Sequence, residues 1–357
     1  MQVRWFDLDA LPQRCLAAFA KAEERSPELG LDWFHNLADH ALDAGTQVAF
    51  VEAHPIDMEQ ATTVLPVQFA EKRGKISSLA NFYTALYEPV ASGMDPGTGL
   101  TALFRNIQKQ GWTSFWLSPM AREQALFDQT LSSFKAAGWL PFPFFCFGNW
   151  YLQVRGRTYE EYFQSLPSQT RNTVQRRGQK FQQSGKGRLE LVTGGTGLET
   201  AIGVWTEVYS SSWKIPEPYP DFMPGLIRLC AAKGWLRMGI AYYGDEPIAA
   251  QVWIVNQGRA AIYKLAYNSA HAKHSAGTLL TDFLMRHVMD VDKVDEVDYM
   301  IGDDAYKKDW MDARRERWGI VAYNPRRLVG LLLGGRELVG RFAKNAYLKL
   351  RNRVMST

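Results

Sequence analysis

Apolar positions fall in short blocks whose spacing switches between helix and strand periods. In the first half, Trp33–Leu42 carries helical spacing and stops near Gly45. Gln47–Glu52 reads as a strand, His54-Pro55 as a turn, and Thr62–Phe69 as a second strand. Past Gly74, Lys75–Leu86 reads as a third extended run. The glycine-rich stretch Gly93–Gly99 then opens a helix over Leu100–Gln110, with Leu100, Leu103, Phe104 and Ile107 three and four apart. Gly111 ends it, and Thr113–Leu117 reads as a short buried strand.

The second half repeats that order. Met223–Ala232 predicts a helix, and Leu236–Tyr242, Ile248–Val255 and Ala260–Tyr267 predict three strands separated by glycine-containing turns. A stretch of polar and small residues, Asn268–Thr278, leads into a helix over Leu279–Met289, and Glu296–Met300 closes the unit. At an offset of 180 residues, Gly97-Thr98 meets Gly277-Thr278, and Leu100-Thr101 meets Leu280-Thr281. One unit used twice is the economical reading. Hairpins followed by a helical crossover predict an α/β chain. Its mixed sheet is mainly antiparallel, gains a parallel strand at each crossover, and is covered by helices.

Composition narrows this little: 357 residues, 46% hydrophobic and 22% charged, suit a globular protein of two domains. Cys15, Cys146 and Cys230 show no CxxC spacing, which excludes a cysteine zinc site or disulfide framework and favours a reducing compartment. The acids near Met1 do not suit a signal peptide, and no apolar run is long enough to span a bilayer, so a cytoplasmic location is expected. Twelve tryptophans predict cores or clefts rich in large flat side chains. Charge changes the picture more. Residues 326–357 hold eight Lys/Arg and one acid, a local +7 against +4 for the whole chain. Leu328, Leu331, Leu332, Leu338, Phe342 and Leu350 give that tail an amphipathic pattern for a membrane surface or for the body, although Gly330, Gly334, Gly335 and Gly340 argue against one long helix. A second basic cluster comprises Arg171, Arg176, Arg177, Lys180, Lys186 and Arg188. It is either a solvated helix face or an anion-binding surface.

Two stretches carry candidate chemistry. In the first, Lys273-His274-Ser275-Ala276-Gly277-Thr278-Leu279, small residues permit close backbone approach. The N–H groups of the following helix would face an anion such as a pyrophosphate; the alternative is an ordinary N-cap by Ser275 or Thr278. Neither a Walker motif nor GxGxxG is present. The second stretch follows a strand end broken by Gly302, and Asp303, Tyr306, Lys307 and Trp310 share one face if the segment is helical. They serve either acid–base and anion-binding work or a helix capped by Asp303 with Trp310 in the core. His35 and His40, five apart, do not make a metal pair, and no metal is expected.

Taken together, YKLAYNSAHAKHSAGTLLTDFLMRH and VDYMIGDDAYKKDW resemble the acyltransferase domain of bacterial CelD/BcsL-like and BioF2-like proteins of the GNAT superfamily. The matching positions are Tyr263, Lys264, Ser275, Gly277, Thr278, Asp298, Gly302, Asp303, Tyr306, Lys307 and Trp310, with Ala276 where the family often has proline. Ser168–Arg177 is similar to the family's opening basic helix. The likeness covers about 160–315, and residues 1–150 only as a degenerate copy.

The resemblance implies two tandem GNAT-like domains, at 1–155 and 156–325, followed by the basic tail 326–357. It implies acetyl-CoA or another acyl-CoA as donor and an amine or hydroxyl acceptor, a small molecule or glycan of polysaccharide or envelope biosynthesis. Under it, Lys273 to Leu279 hold the cofactor, Asp303 is the base, Tyr306 the acid or orienter, and Lys307 an anion ligand. Arg171, Arg177, Trp213, Tyr263 and Lys264 are the substrate-binding candidates; Trp205, Ser211, Ser212, Trp213 and Lys214 either shape an acceptor pocket or are core and loop, and the proline-rich loop 215–224 would cover the cleft. Direct attack on the thioester needs no covalent residue, consistent with the lack of a Ser-His-Asp or Cys-His signature. Two alternatives stand beside it: a Fem-like transferase using aminoacyl-tRNA, the one case in which nucleic acid is a partner, and a non-catalytic module of an envelope complex. In the last case the basic amphipathic tail would hold the protein, otherwise cytoplasmic, at the inner membrane face.

Overall fold

The computed structural model describes residues 1–70 and 74–354. The first half runs β1 (Gln2–Phe6), α1 (Gln13–Arg25), α2 (Leu31–His40), β2 (Thr46–His54), β3 (Thr62–Ala70), β4 (Lys75–Ser78), β5 (Val90–Ser92), α3 (Pro96–Lys109), β6 (Ser114–Ala121), α4 (Ala125–Ala136) and β7 (Leu140–Gln153). The linking helices α5 (Tyr159–Ser165) and α6 (Ser168–Gln183) follow. The second half runs β8 (Gly187–Val192), α7 (Leu198–Ser210), α8 (Phe222–Ala232), β9 (Leu236–Tyr243), β10 (Glu246–Asn256), β11 (Arg259–Tyr267), α9 (Ala276–Asp290), β12 (Glu296–Asp298), β13 (Ala313–Tyr323) and α10 (Leu328–Val354).

Strands of both halves form one sheet in the order β1-β2-β3-β4-β6-β13-β7-β12-β11-β10-β9-β8, with β5 beside β3. Reading inward from either edge gives the same unit. β1 to β4 are mutually antiparallel and β4 pairs parallel with β6. Likewise β8 to β11 are antiparallel and β11 pairs parallel with β12. Two helices sit between the first two strands of each unit, and α3 and α9 are the two crossovers. The repeat predicted from spacing is therefore present, and it includes β1 and β8, which the periodicity did not single out.

The halves exchange their last strands. β7 leaves the first half to pair with β12, β13 leaves the second to pair with β6, and the two pair with each other along their length. On one face of the sheet, α1, α2, α7 and α8 share a single core, in which Trp33 packs on Phe222 at 5.7 Å and on Tyr263 at 5.8 Å. On the other face, α3 and α4 cover the first half, and α5, α6 and α9 the second. Most of the large aromatics fill these cores, as the stacked pair Phe104 and Phe134 at 3.7 Å illustrates.

Three expectations are corrected. The extended run Lys75–Leu86 stops as a strand at Ser78, because the Gln68 side-chain amide takes the carbonyls of Ser78 and Ala80 and Asn81 caps a turn through the Tyr83 N–H. Asp303 to Trp310 do not form one helical face: only Ala305–Asp309 coils, as a single 3-10 turn, after Gly302 at φ +105°. The tail, despite its glycines, is one helix. Gly330 and Gly334 are where that helix meets the body, and a Cβ on Gly330 would lie 2.3 Å from the Asn324 carbonyl. The side chains of Lys344, Lys349, Leu350, Arg351 and Arg353 lie outside the described residues.

Candidate active site

The sheet opens where β11 and β12 part. They pair only at Arg259–Glu296, Ala260–Val297 and Ala261–Asp298. β11 continues to Tyr267, while the chain after Asp298 stays with β7: the Tyr299 N–H donates to the Trp150 carbonyl at 2.9 Å, and Gly302 bridges Asn149. Asp298 fixes the vertex. Its fully buried carboxylate accepts from Asn149 Nδ2 at 2.5 Å and the Met300 N–H at 2.6 Å, and pairs with Arg259 and Arg315. Burial pushes that carboxyl up, but the surrounding arginines win and hold it well below the carboxylate range.

A cavity of about 240 Å³ fills the wedge, with Ile262 to Leu265 on one wall and Tyr299 to Ile301 on the other. Tyr306, Lys307, Tyr263 and Lys264, all singled out from the sequence, meet here. Tyr306 is half-exposed, and burial pushes its phenol up to about 12, so it keeps its proton at neutral pH. Lys307 is buried, and its ammonium donates to the carbonyls of Tyr299 (3.3 Å), Ile301 (2.5 Å) and Gly302 (3.3 Å). In this arrangement it holds the departing strand rather than offering a free charge. Tyr263 donates its hydroxyl to the Tyr83 carbonyl at 2.8 Å, and Lys264 pairs with Glu217 at 2.6 Å. Asp303 lies outside the cavity: Arg314 and the Trp150 indole occupy its carboxylate and hold its pKa down. Its neighbour Asp304 lines the wall instead.

Glu217, Tyr83 and Asp304 belong to this site and were not picked out by sequence reasoning, which offered Lys214 beside Trp213 only as a wall of an acceptor pocket. Lys214 lines both the wedge and an adjoining recess formed by Tyr209, Trp213, Ile215 and Pro216. Burial first, and then the Lys264 charge, push its ammonium down to about 8. Glu217 sits on the proline-rich loop and accepts from Tyr83 and Lys264, so the loop is tied across the two halves. The isolated lysine and glutamate of Lys214-Ile-Pro-Glu217 give no periodic signal, and only the apposition of the two halves brings them together. Trp213, half-exposed, packs on Tyr267 at 4.4 Å. Arg171 is spent on the carbonyls of Gln164 and Leu166.

α9 begins beyond the end of β11, at the open end of the wedge. Ser275, at φ +55°, turns the chain into the helix and makes no side-chain capping bond, so the N-cap alternative fails for it. The first-turn N–H groups of Ala276, Gly277 and Thr278 thus lack the intrahelical acceptors that later residues have. Positive groups gather around this turn: Lys273, Lys180 and Arg177 all act on His274, which burial first and then those charges push below its ordinary pKa. The equivalent turn of the first half is closed. There Asp95 caps α3, its carboxylate accepting the Thr98 N–H at 2.8 Å and the Thr98 hydroxyl at 2.9 Å. Asp95→Ala should therefore destabilise the protein by about 1 kcal/mol in urea unfolding, with affinity for any anion at α9 unchanged. A larger open furrow of about 1040 Å³ lies between α3 and α4 near this closed turn, away from the wedge.

Comparison with known proteins gives a class. Residues 168–308 match the family model described as an acetyltransferase (GNAT) domain, which spans α6, the second repeat and the wedge. Over those residues the chain is similar to acetyltransferase domains of the GNAT type. No curated protein matches the sequence. Among solved structures, FemX is similar at 9% identity and a TM-score of 0.60, over 91% of this chain and 98% of that one. The C-terminal domain of a putative lysylphosphatidylglycerol synthetase from Agrobacterium fabrum is similar at 10% and 0.54, over 90% and 95%. A tandem GNAT protein from the clavulanic acid biosynthesis pathway is similar at 11% and 0.51, over 89% and 98%. At such identities the likeness is one of fold.

Proposed function

We propose that the protein transfers a short acyl group from acyl-CoA, acetyl-CoA in the simplest case, to an amine or hydroxyl acceptor. The observation that carries this is the pairing of an uncapped, positively surrounded turn at Ala276–Thr278 with a splayed strand pair at the same end of the sheet. A pyrophosphate suits the N–H groups of that turn, with Lys273, Arg177 and Lys180 supplying charge. The thioester then reaches into the wedge, where β11 has β10 on one side and no strand on the other among the described residues. Its inward N–H groups would stabilise the oxyanion of the tetrahedral intermediate.

The acceptor enters from the recess beside Trp213. Lys214 in its neutral form takes the acceptor proton as the new bond to the acyl carbon forms, and Tyr306 donates a proton to the departing thiolate. Lys307 and Asp298 position the strand end. Asp303 does not serve as the base, because its carboxylate is committed to Arg314 and the Trp150 indole and does not line the cavity. The volume of the wedge favours acetyl-sized groups over long chains, and the acceptor class, amine or hydroxyl on a small molecule or glycan, follows from the chemistry alone.

Below pH 8 Lys214 is protonated and cannot accept, so turnover should rise with pH through about 8. Lys214→Met should flatten that limb and lower kcat by about 10²–10³-fold. The donor is tested by calorimetric titration with CoA and acetyl-CoA. Micromolar to sub-millimolar binding is expected, and salt-sensitive tRNA binding with no CoA binding would replace this reading with the aminoacyl-tRNA alternative.

A further inference from the structure

The tail helix α10 presents an apolar face that the body does not cover. Leu328, Val329, Leu331, Leu332, Leu338, Val339 and Phe342 are between 49% and 74% exposed. At 100° per residue, Leu328, Leu331, Leu332, Leu338, Val339 and Phe342 fall on one side of the helix. The opposite side is the attachment. Gly330 and Gly334 are buried against Asn324 and Leu140, and Arg341 donates to the Pro143 carbonyl at 2.7 Å while pairing with Glu337 at 2.8 Å. The two glycines thus fix which face points outward. Placing leucines at the surface while glycines make the contact is the reverse of what packing on the body would select.

Charge identifies the occupant. Arg326, Arg327 and Arg336 are exposed beside the apolar face, and the whole tail is strongly basic. No helix among the described residues is long and apolar enough to cross a membrane. An amphipathic helix with large apolar residues on one side and basic ones around them fits the plane of an anionic bilayer. The sheet adds direction. β13 runs parallel to β11, since each is separated from its neighbour by the antiparallel pairs β13–β7 and β7–β12 and the parallel pair β12–β11. α10 therefore leaves the sheet at the end where the wedge opens.

We infer that α10 docks the protein on an anionic lipid surface through Leu328, Leu331, Leu332, Val339 and Phe342, with the mouth of the wedge at the same end of the molecule. This does not depend on the acyltransferase reading. The test is co-sedimentation of the full chain with vesicles of phosphatidylcholine containing 30% phosphatidylglycerol, beside vesicles of phosphatidylcholine alone. Binding to the anionic vesicles should be at least tenfold stronger, weaken with salt, and fall at least tenfold in Leu332→Glu/Phe342→Glu. The variant should keep its melting temperature and its CoA affinity, because both positions are exposed. Equal binding of variant and wild type, or no binding at millimolar lipid, would overturn the inference. So would a wild-type dimer that the variant abolishes without any vesicle binding, which would make a second copy the occupant.

Discussion

Gly277→Asp should weaken CoA binding about a hundredfold, or about 2.7 kcal/mol, while leaving the protein folded. A Cβ at Gly277 meets only the Tyr267 ring, at 3.6 Å, an ordinary contact, and the backbone there is helical. The added carboxylate would sit on the first turn of α9, where it satisfies the free N–H groups itself and repels a pyrophosphate. Asp95 is the N-cap of α3 and corresponds to Ser275, so an acid at 277, two residues into α9, acts through its charge on the same turn. Calorimetry with CoA, alongside thermal unfolding, checks both halves of the prediction. A variant that binds CoA like wild type would remove α9 from the donor site.

Asp298→Ala should cost about 3–5 kcal/mol of stability, the largest loss expected from any single substitution here. Two arginines, Arg259 and Arg315, share this carboxylate, and Arg317 adds to the field around it. Removing it leaves both guanidiniums to share Glu296 alone and takes the acceptor from the Met300 N–H. The same group sets an acid limit. Its pKa is depressed in the folded state, so its contribution is complete above the unfolded carboxylate value near 4 and is lost as pH falls below it. Urea unfolding at pH 7 and pH 3 should show a larger drop for wild type than for Asp298→Ala. If the variant is as stable as wild type, the vertex is held by other contacts.

The repeat was legible because each unit is built of short strands with clear apolar runs and an amphipathic crossover helix, and Gly97-Thr98 and Gly277-Thr278 mark equivalent turns. The strand exchange was not. Whether β7 pairs with β6 or with β12 depends on partners far apart in sequence, and the apolar run at Leu140–Gly148 is equally suited to either. The turn at Ser275–Thr278 and the gathering of Tyr306 with Lys264 could be read from local residue types, since a crossover places a helix start and a strand end at one edge of the sheet. The side of the strand on which Asp303 falls could not, because Gly302 at positive φ and the 3-10 turn shift the direction of each following side chain. Glu217, and the role of Lys214 beside it, were hidden for another reason: their loop has no period, and its place is set by Tyr83 on the other half. In the tail, the glycines that count against a helix by propensity are the contacts that dock it.

The most direct test is a crystal structure of the protein with CoA bound. The account predicts the pyrophosphate on the N–H groups of Ala276–Thr278, flanked by Lys273 and Arg177, and the thiol in the wedge between β11 and Tyr299, near Tyr306. CoA bound instead at the α3 turn or in the furrow between α3 and α4, with the wedge empty, would contradict it.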